Sequence, residues 1–588
     1  METVKGARLV LVAILLLGLL VSDLCSLWLP CAVAREIPAI DPTLRSGDRR
    51  EPFSEEKKEV TPEPEITTPV PDEAQGRTGQ PARLGPRIRI RVKQIRTVGN
   101  KTFSDAELAV ITRPYLNRDI DYQVLELIRR NLTRHYIQHG YVNSGAVLPD
   151  QTVTDGVVTF MIVEGRLTEV AVSGNRWLRD GYYRRRVHLD AGPPLNVPAL
   201  EQRLQLLQQH DMIERVHAEL KPGMTPGQSV LALKVEERLP FDYRVAFNNY
   251  QSPSVGAERG IVTLAHRSLT GIGDVLSVTY GRSRGLDPLI DLSYRLPLTS
   301  RDTELGLRYR KNDFSIVEEP FQDLDIESES EIYELKLRQP VWRTPSREVA
   351  VGLIGERLHS RSWLLGDPIS FSRGTVDGES TVAALRFFQE YLQRSRKQVI
   401  AVHSRFSWGL DALGATDNDN GDPDGQFFAW LGQFQWARII DPLDIQTIVR
   451  SDVQLTGDPL LALEQIPVGG RYSVRGYREN QLVRDNGVIV SLETRIPLVQ
   501  HAAWADYLQL APFVDYGQAW FTDDDTPDPR DIYSAGIGLR WGLTVASDPL
   551  PTTMTLEVYW GHPIQDVDTD GDSLQDDGFH FQFAISGF

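Results

Sequence analysis

The chain has 588 residues, 41% of them hydrophobic and 24% charged, and a formal net charge of −17. That length holds two to four ordinary domains or one large barrel with appendages. Its two cysteines exclude a disulfide-built scaffold, and past the N-terminus no run of eighteen apolar residues offers a membrane-crossing helix.

At the N-terminus, Lys5 and Arg8 precede an apolar run from Leu9 to Val21, followed by Ala32-Val33-Ala34. A basic start, a short apolar core and a small-x-small site read as a secretory signal over residues 1–34. The rival reading is a membrane anchor, for which this run is short. Cys25 and Cys31 both fall inside the signal, so the exported chain is expected to have no cysteine. Residues 35–86 are rich in Pro and Glu, as in Val60-Thr61-Pro62-Glu63-Pro64-Glu65, and read as an extended or disordered linker.

An internal repeat follows. Val98-Gly99-Asn100-Lys101 returns as Ser173-Gly174-Asn175-Arg176, each time after an alternating strand. Leu125, Ile128, Leu132 and Tyr136 mark a helix face in the first copy, and Leu200, Leu204 and Leu207 mark one in the second. Each copy closes on a strand pair, ending at Glu164 or Glu236. The order strand-helix-helix-strand-strand resembles the POTRA domain, giving two small α+β domains over 87–164 and 165–238. A sheet with an exposed edge can take a strand from an unfolded client; the plainer reading is a pair of spacers. The basic surplus of 87–238 is slight and no nucleic-acid recognition motif accompanies it, so no nucleic acid is expected.

From residue 239 to 588 the pattern alternates with period two. Sixteen runs start near residues 241, 259, 274, 287, 302, 330, 347, 380, 398, 426, 443, 487, 508, 532, 553 and 579. Most are longer than soluble strands, the count is even, and connections alternate short (Thr270-Gly271-Ile272-Gly273, Asp441-Pro442) with long (313–329, 360–379, 411–425, 458–486, 565–578). An all-β transmembrane barrel of sixteen antiparallel strands fits all three features. Strand parity from a periplasmic start places every long loop outside. Loops 313–329, 411–425, 521–531 and 565–578 hold 23 acids against the single base Arg530, so the acidity belongs to the outer loops. In the last, Asp566, Asp568 and Asp570 before Gly571, with Asp577 at the twelfth position, match the spacing of a calcium loop. Asp there replaces the usual Glu and strands replace the flanking helices; the alternative is an acidic loop with accidental spacing.

The sixth outer loop, 458–486, carries Gly469-Gly470-Arg471-Tyr472-Ser473-Val474-Arg475-Gly476-Tyr477. A central guanidinium beside a turn-forming glycine needs a carboxylate if it is buried. Phe513-Val514-Asp515-Tyr516-Gly517 offers one: with Val514 and Tyr516 outward, Phe513, Asp515, Gly517 and Ala519 point into the lumen. Ser491, Glu493 and Arg495 face inward on the preceding strand, so Glu493 is a second available acid.

Together these two motifs resemble the signature of the two-partner secretion transporters, or haemolysin secretion/activation proteins, within the superfamily of POTRA-bearing outer-membrane barrels. Asn248-Asn249-Tyr250 and Leu269-Thr270-Gly271-Ile272-Gly273-Asp274 add to the likeness, which runs from about residue 90 to 588. The resemblance implies that Val474, Arg475, Gly476 and Tyr477 form a loop tip folded into the barrel, and that Arg475 pairs with Asp515 between Phe513 and Gly517. It implies a pore that receives an unfolded exoprotein in the periplasm and secretes it across the outer membrane without ATP. Its partners would be that client, the outer-membrane bilayer and, through the Phe-rich end Phe579–Phe588, the barrel-assembly machinery. Family members often carry a plug helix before the linker; here only about Arg35 to Lys58 has room, and Pro38, Pro42 and Pro52 interrupt it. No phosphate loop, metalloprotease motif or nucleophile elbow occurs, so no enzyme is expected. Two other readings stay open: an assembly or insertion factor of the same superfamily, and a passive porin or surface receptor.

Overall fold

The computed structural model describes residues 65–67, 89–189, 192–319, 322–418, 421–523, 526–546, 550–567 and 571–587. The segment read as a signal (1–34), and all of 35–86 except 65–67, lie outside the described residues. A three-residue strand β1 (Glu65–Thr67) comes first. A first α+β unit follows, with β2 (Ile90–Val92), β3 (Gln94–Val98), α1 (Asp105–Thr112), β4 (Arg118–Ile120), α2 (Tyr122–Gln138), β5 (Gly145–Val147) and β6 (Val157–Val163). A second holds β7 (Arg166–Ser173), α3 (Asp180–Val187), α4 (Val197–Gln208), β8 (Ile213–Pro222) and β9 (Gln228–Glu237). In each, the outer strand runs parallel to the last: β3 beside β6, β7 beside β9.

The repeat in sequence is a repeat in bonding. Asn100 and Asn175 each donate from Nδ2, to the Phe103 carbonyl and Asp105 in one copy, to the Leu178 carbonyl and Asp180 in the other. The carboxylate closing each sheet accepts the backbone N–H groups of that turn. Glu164 takes Lys101 and Thr102, both at 2.8 Å; Glu237 takes Arg176 at 2.7 Å and Trp177 at 2.6 Å. A core tyrosine also donates to each carboxylate, Tyr136 at 3.2 Å and Tyr183 at 2.6 Å. Asp121 caps α2 by accepting from the Val124 N–H, and that helix buries Leu125, Ile128, Leu132 and Tyr136 at the spacing of one face.

The barrel closes through sixteen long strands. They are β10 (Phe241–Asn248), β11 (Arg259–His266), β12 (Val275–Ser283), β13 (Leu286–Pro297), β14 (Glu304–Ser315) and β15 (Ile326–Thr344). Next come β16 (Arg347–Leu364), the two-residue β17 (Asp367–Pro368) that only extends β16's edge, β18 (Glu379–Arg394), β19 (Gln398–Gly409), β20 (Phe428–Ile440) and β21 (Ile445–Thr456). A small hairpin, β22 (Ile466–Val468) with β23 (Leu482–Arg484), interrupts the wall. The wall resumes with β24 (Asn486–Ala502), β25 (Ala505–Trp520), β26 (Asp531–Val545), β27 (Thr552–Pro563) and β28 (Phe579–Gly587). Neighbours are antiparallel throughout, and β10 pairs with β28 from Tyr243 opposite Gly587 to Asn248 opposite Gln582. Closure leaves no open edge, the condition for a sheet in a bilayer. Leu264, Tyr280, Leu335, Leu337, Val514 and Leu539 are exposed on the outer wall, while their strand neighbours turn polar or small groups inward. No helix among the described residues is long and apolar enough to cross a membrane.

The second α+β unit rests on the tight turns. Arg179 donates its N–H to the Gly271 carbonyl at 2.9 Å, and Ser268 Oγ reaches the Trp177 carbonyl at 3.3 Å. Arg186 and Arg343 both pair with Asp302 at 2.7 Å. Asp274 pins the first turn by accepting from Thr270 N–H and Oγ and from the Tyr294 hydroxyl. The short-turn mouth is therefore the one carrying the α+β units, and the long loops lie at the other.

Burial raises the Glu164 carboxyl, but the amides of Lys101 and Thr102 outweigh it and hold it below its ordinary value. A lowered native pKa gives stability that is complete above the unfolded-chain value and fades as pH falls through the native one. Glu164→Ala is expected to cost the first unit about 1 kcal/mol, with Glu164→Gln costing less because its amide oxygen still accepts. Urea titration of the full chain, followed by limited proteolysis of residues 90–163 at pH 7 and pH 3, measures both effects; the mutant penalty should shrink at the lower pH.

Candidate functional site

Between β21 and β24 the chain leaves the wall for residues 457–485, the sixth outer loop. Its hairpin folds into the lumen, and its tip is sealed against the wall by an apolar cluster. Ile466, Val468, Val474, Tyr477 and Leu482 from the loop pack with Ile489, Ala519 and Ile532 from the strands.

Arg475 lies at the centre, 1% exposed, with Asp515 at 0% and Glu493 at 1%. Asp515 accepts from Nε at 2.7 Å, from Nη2 at 2.8 Å and from the Arg475 backbone N–H at 3.0 Å. Nη1 donates to Glu493, and Nη2 also reaches Ser491 Oγ at 3.1 Å. Ser491 stands opposite Asp515, and Glu493 opposite Phe513, so one guanidinium spans two successive inward-facing rungs of the β24–β25 ladder, with the outward Leu492–Val514 rung between them. Its centre lies 3.6 Å from the middle of the Phe513 ring. Arg495 also pairs with Glu493 at 2.7 Å, so each of the two buried carboxylates meets at least one guanidinium, with Arg450 and Arg471 adding positive charge nearby.

Each other motif residue has a steric task. Gly476 has φ +93°, and a Cβ there would sit 2.7 Å from the Gly561 carbonyl oxygen, so the tip can approach β27 only with glycine. A Cβ on Gly517 would lie 2.3 Å from Val468 Cγ1 and 2.7 Å from Val474 Cγ2; its absence makes room for the loop. The Tyr477 hydroxyl is 2.8 Å from the Gln565 carbonyl and 3.0 Å from that of Tyr533. The structure thus brings together Val474, Arg475, Gly476, Tyr477, Phe513, Asp515 and Gly517.

Further anchors were not singled out from sequence. Arg471 pairs with Glu557 at 2.9 Å, Glu557 pairs with Arg540 at 2.7 Å, and the Arg471 guanidinium stands 3.9 Å over the Tyr559 ring. Arg478 leaves the tip to meet Glu318 at 2.9 Å and Asp576. The inward parity of Glu557 on an alternating strand was legible, but not its partner. Of the four calcium candidates, Asp568 and Asp570 lie outside the described residues, and Asp566 and Asp577 are exposed. The neighbouring acid Asp576 is committed to Arg478, and no cluster of three or more metal-binding side chains occurs among the described residues.

A closed sixteen-stranded barrel, an outer loop folded into its lumen and small α+β domains at the short-turn mouth define an outer-membrane barrel of the POTRA-bearing class. Comparison with known proteins narrows this. The family described as haemolysin secretion/activation protein ShlB/FhaC/HecB matches residues 227–541, and the POTRA domain of ShlB type matches residues 90–165. The chain belongs to that haemolysin secretion/activation family, which is of the two-partner secretion type and non-catalytic, and its place is the outer membrane with POTRA domains in the periplasm. It is 24% identical over 481 residues to the outer membrane transporter CdiB of Dickeya dadantii, covering 79% of this chain and 82% of the relative. The heme/hemopexin transporter protein HuxB of Haemophilus influenzae is 21% identical over 479 residues, covering 76% and 80%. Among solved structures, CdiB from Escherichia coli has the same fold, with TM-score 0.63 at 20% identity over 88% of this chain and 92% of that one.

If the loop is held by this cluster, deleting either partner strands a buried charge, a loss on the order of 3–5 kcal/mol. Arg475→Ala and Asp515→Ala are each expected to speed amide hydrogen exchange across residues 466–484 in the assembled barrel. The double variant should be little faster than either single one, and Arg475→Lys should fall between, because an ammonium lacks the two-pronged geometry. Additive increases would show that the two residues act separately.

Proposed function

We propose that the protein is a translocation pore that binds an unfolded exoprotein in the periplasm through its POTRA domains and passes it across the outer membrane without ATP. Residues 1–34 would direct its own export and 35–86 would link to the first domain. The observation that carries this reading is the strand-accepting character of the periplasmic sheets. The edge of β8 already takes an extended segment in parallel, with Glu65 opposite His217 and Thr67 opposite Glu219. In the first domain, β3 and β5 are the outer strands of the order β3-β6-β5, and neither has a second strand partner among the described residues.

An exposed apolar row also crosses that three-stranded sheet. Val98 and Val147 both stand in register with Met161, and the three are 48%, 40% and 45% exposed. An extended chain pairing with either edge would gain main-chain hydrogen bonds, with every second side chain on the same face as the row and one of them extending it. Such recognition reads backbone and alternating apolar groups, which suits a client that is unfolded when it binds. The sixth loop occupies the lumen, so passage requires it to move; Arg475 and Asp515 would hold its resting position.

A photo-crosslinking amino acid in place of Met161 is expected to capture the exoprotein, identified as the protein missing from culture supernatant when this gene is deleted. Removing residues 90–163 should abolish its export while the barrel keeps its heat-modifiable mobility. Normal export by the truncated, inserted protein would make these domains spacers and overturn the proposal.

A further inference from the structure

The sixth loop is tied to the wall a second time, far around the barrel from its tip. Arg386 lies on the inner face of β18, 1% exposed, while its neighbour Leu385 faces out. Glu356 on β16 accepts from its Nε at 2.9 Å, and Ser407, directly opposite on β19, accepts from Nη1 at 2.7 Å. The remaining donors go to the loop: Glu464 receives Nη2 at 2.6 Å and Nη1 at 3.1 Å. The side chains of Arg386, Glu356 and Glu464 are 1%, 0% and 9% exposed, so the forked pair is screened little by water. Just before Glu464, Leu460 and Leu461 pack on Leu358, Val382, Ala384 and Phe427.

The two attachments sit on different arcs. Counting wall strands from β10, β16 and β18 are seventh and eighth, whereas the tip cluster uses the twelfth and thirteenth, β24 and β25. The ring order therefore stretches the loop across the lumen from one arc to another. We infer that Glu464–Arg386 is a second latch, which holds the rising limb of the sixth loop and serves as its hinge when the tip leaves Asp515. This rests on the reading of the loop as the element that moves for passage. Glu464 and Arg386 are positioning residues in that scheme.

The charge inventory predicts an asymmetry. Without Glu464, Arg386 keeps Glu356 and the wall stays paired. Without Arg386, Glu356 and Glu464 lose the base that joins them. Glu464→Gln is thus expected to loosen the loop in a barrel that assembles normally, and Arg386→Ala to impair assembly as well.

The test follows loop position apart from transport. Leu461→Cys is introduced in the full-length protein, with Cys25 and Cys31 replaced by serine so that labelling does not depend on removal of residues 1–34, and its maleimide labelling is timed in the inserted barrel. Labelling should be slow, should rise at least tenfold with Glu464→Gln, and should not respond to Arg475→Ala alone. The swap Arg386→Glu with Glu464→Arg keeps one base and two acids together and should label more slowly than Arg386→Glu alone. In planar bilayers, Glu464→Gln and Arg475→Ala should raise channel opening independently, so that the pair exceeds either one. Unchanged labelling with Glu464→Gln, or no rescue by the swap, overturns the latch. Faster labelling with unchanged conductance and export leaves the latch standing and overturns the reading of the loop as the moving gate.

Discussion

A guanidinium withdrawn from water must have its donors taken and its charge balanced, and the arrangement of the barrel interior follows from meeting that condition for Arg475. Asp515 takes the Nε edge and the backbone N–H, Glu493 takes Nη1, and Ser491 takes what remains of Nη2. Those partners come from two neighbouring strands in one register, so a shift of either strand by one residue would turn them toward lipid. The loop tip and the wall register are in this sense mutually specified. Neither is defined by its own sequence alone.

The same condition explains why small residues accompany the charges. Bonds of 2.7–3.0 Å require the loop backbone to lie almost on the wall. Gly517 supplies the gap into which Val468 and Val474 fit, and Gly476 faces Gly561 where two backbones nearly touch. The motif therefore joins one charge pair to several absences of a side chain. An alanine at either glycine would disturb the pairing without removing any of its atoms.

Parity made much of this legible in the sequence. Alternation placed Phe513, Asp515 and Gly517 inside, counted sixteen strands, and put the arginine-bearing segment in the sixth outer loop; the helix faces of the small domains were equally plain from spacing. Partners across the lumen were not legible. Parity says that Arg386, Glu557 and Glu493 point inward, but Glu464 and Arg471 sit in a loop whose path depends on closure of the whole ring. The three-residue β1 was hidden for a related reason: its stretch, Glu65 to Thr67, has no pattern of its own and becomes a strand only against the edge of β8. In the last outer loop, spacing gave no sign that Asp576, beside the candidate Asp577, is taken by Arg478.

The loop also shares hydrogen bonds with the seam that closes the barrel. Gly476 donates its N–H to His580 Nε2 on β28 at 3.3 Å. Glu479 donates its N–H to Gln575 Oε1 at 2.8 Å, and Gln575 in turn donates to the carbonyls of Asn249 and Gln251, just past β10, at 2.5 and 2.7 Å. Asn249 bridges to the far side by donating to the Phe579 carbonyl and accepting the Phe581 N–H. Gln575 and Asn249 are fully buried, so withdrawal of the loop would take the Glu479 N–H from Gln575 Oε1, and opening of the seam would break the Asn249 bonds to β28. β10 and β28 are among the shortest wall strands, and the loop adds polar contacts beside the one junction in the ring that joins the two ends of the chain's barrel. Loop position and seam pairing are thus energetically linked through Gln575 and His580, and the paired asparagines at the start of the barrel acquire a physical reason: Asn248 turns inward to the Arg259 guanidinium, while Asn249 ties the first strand to the last.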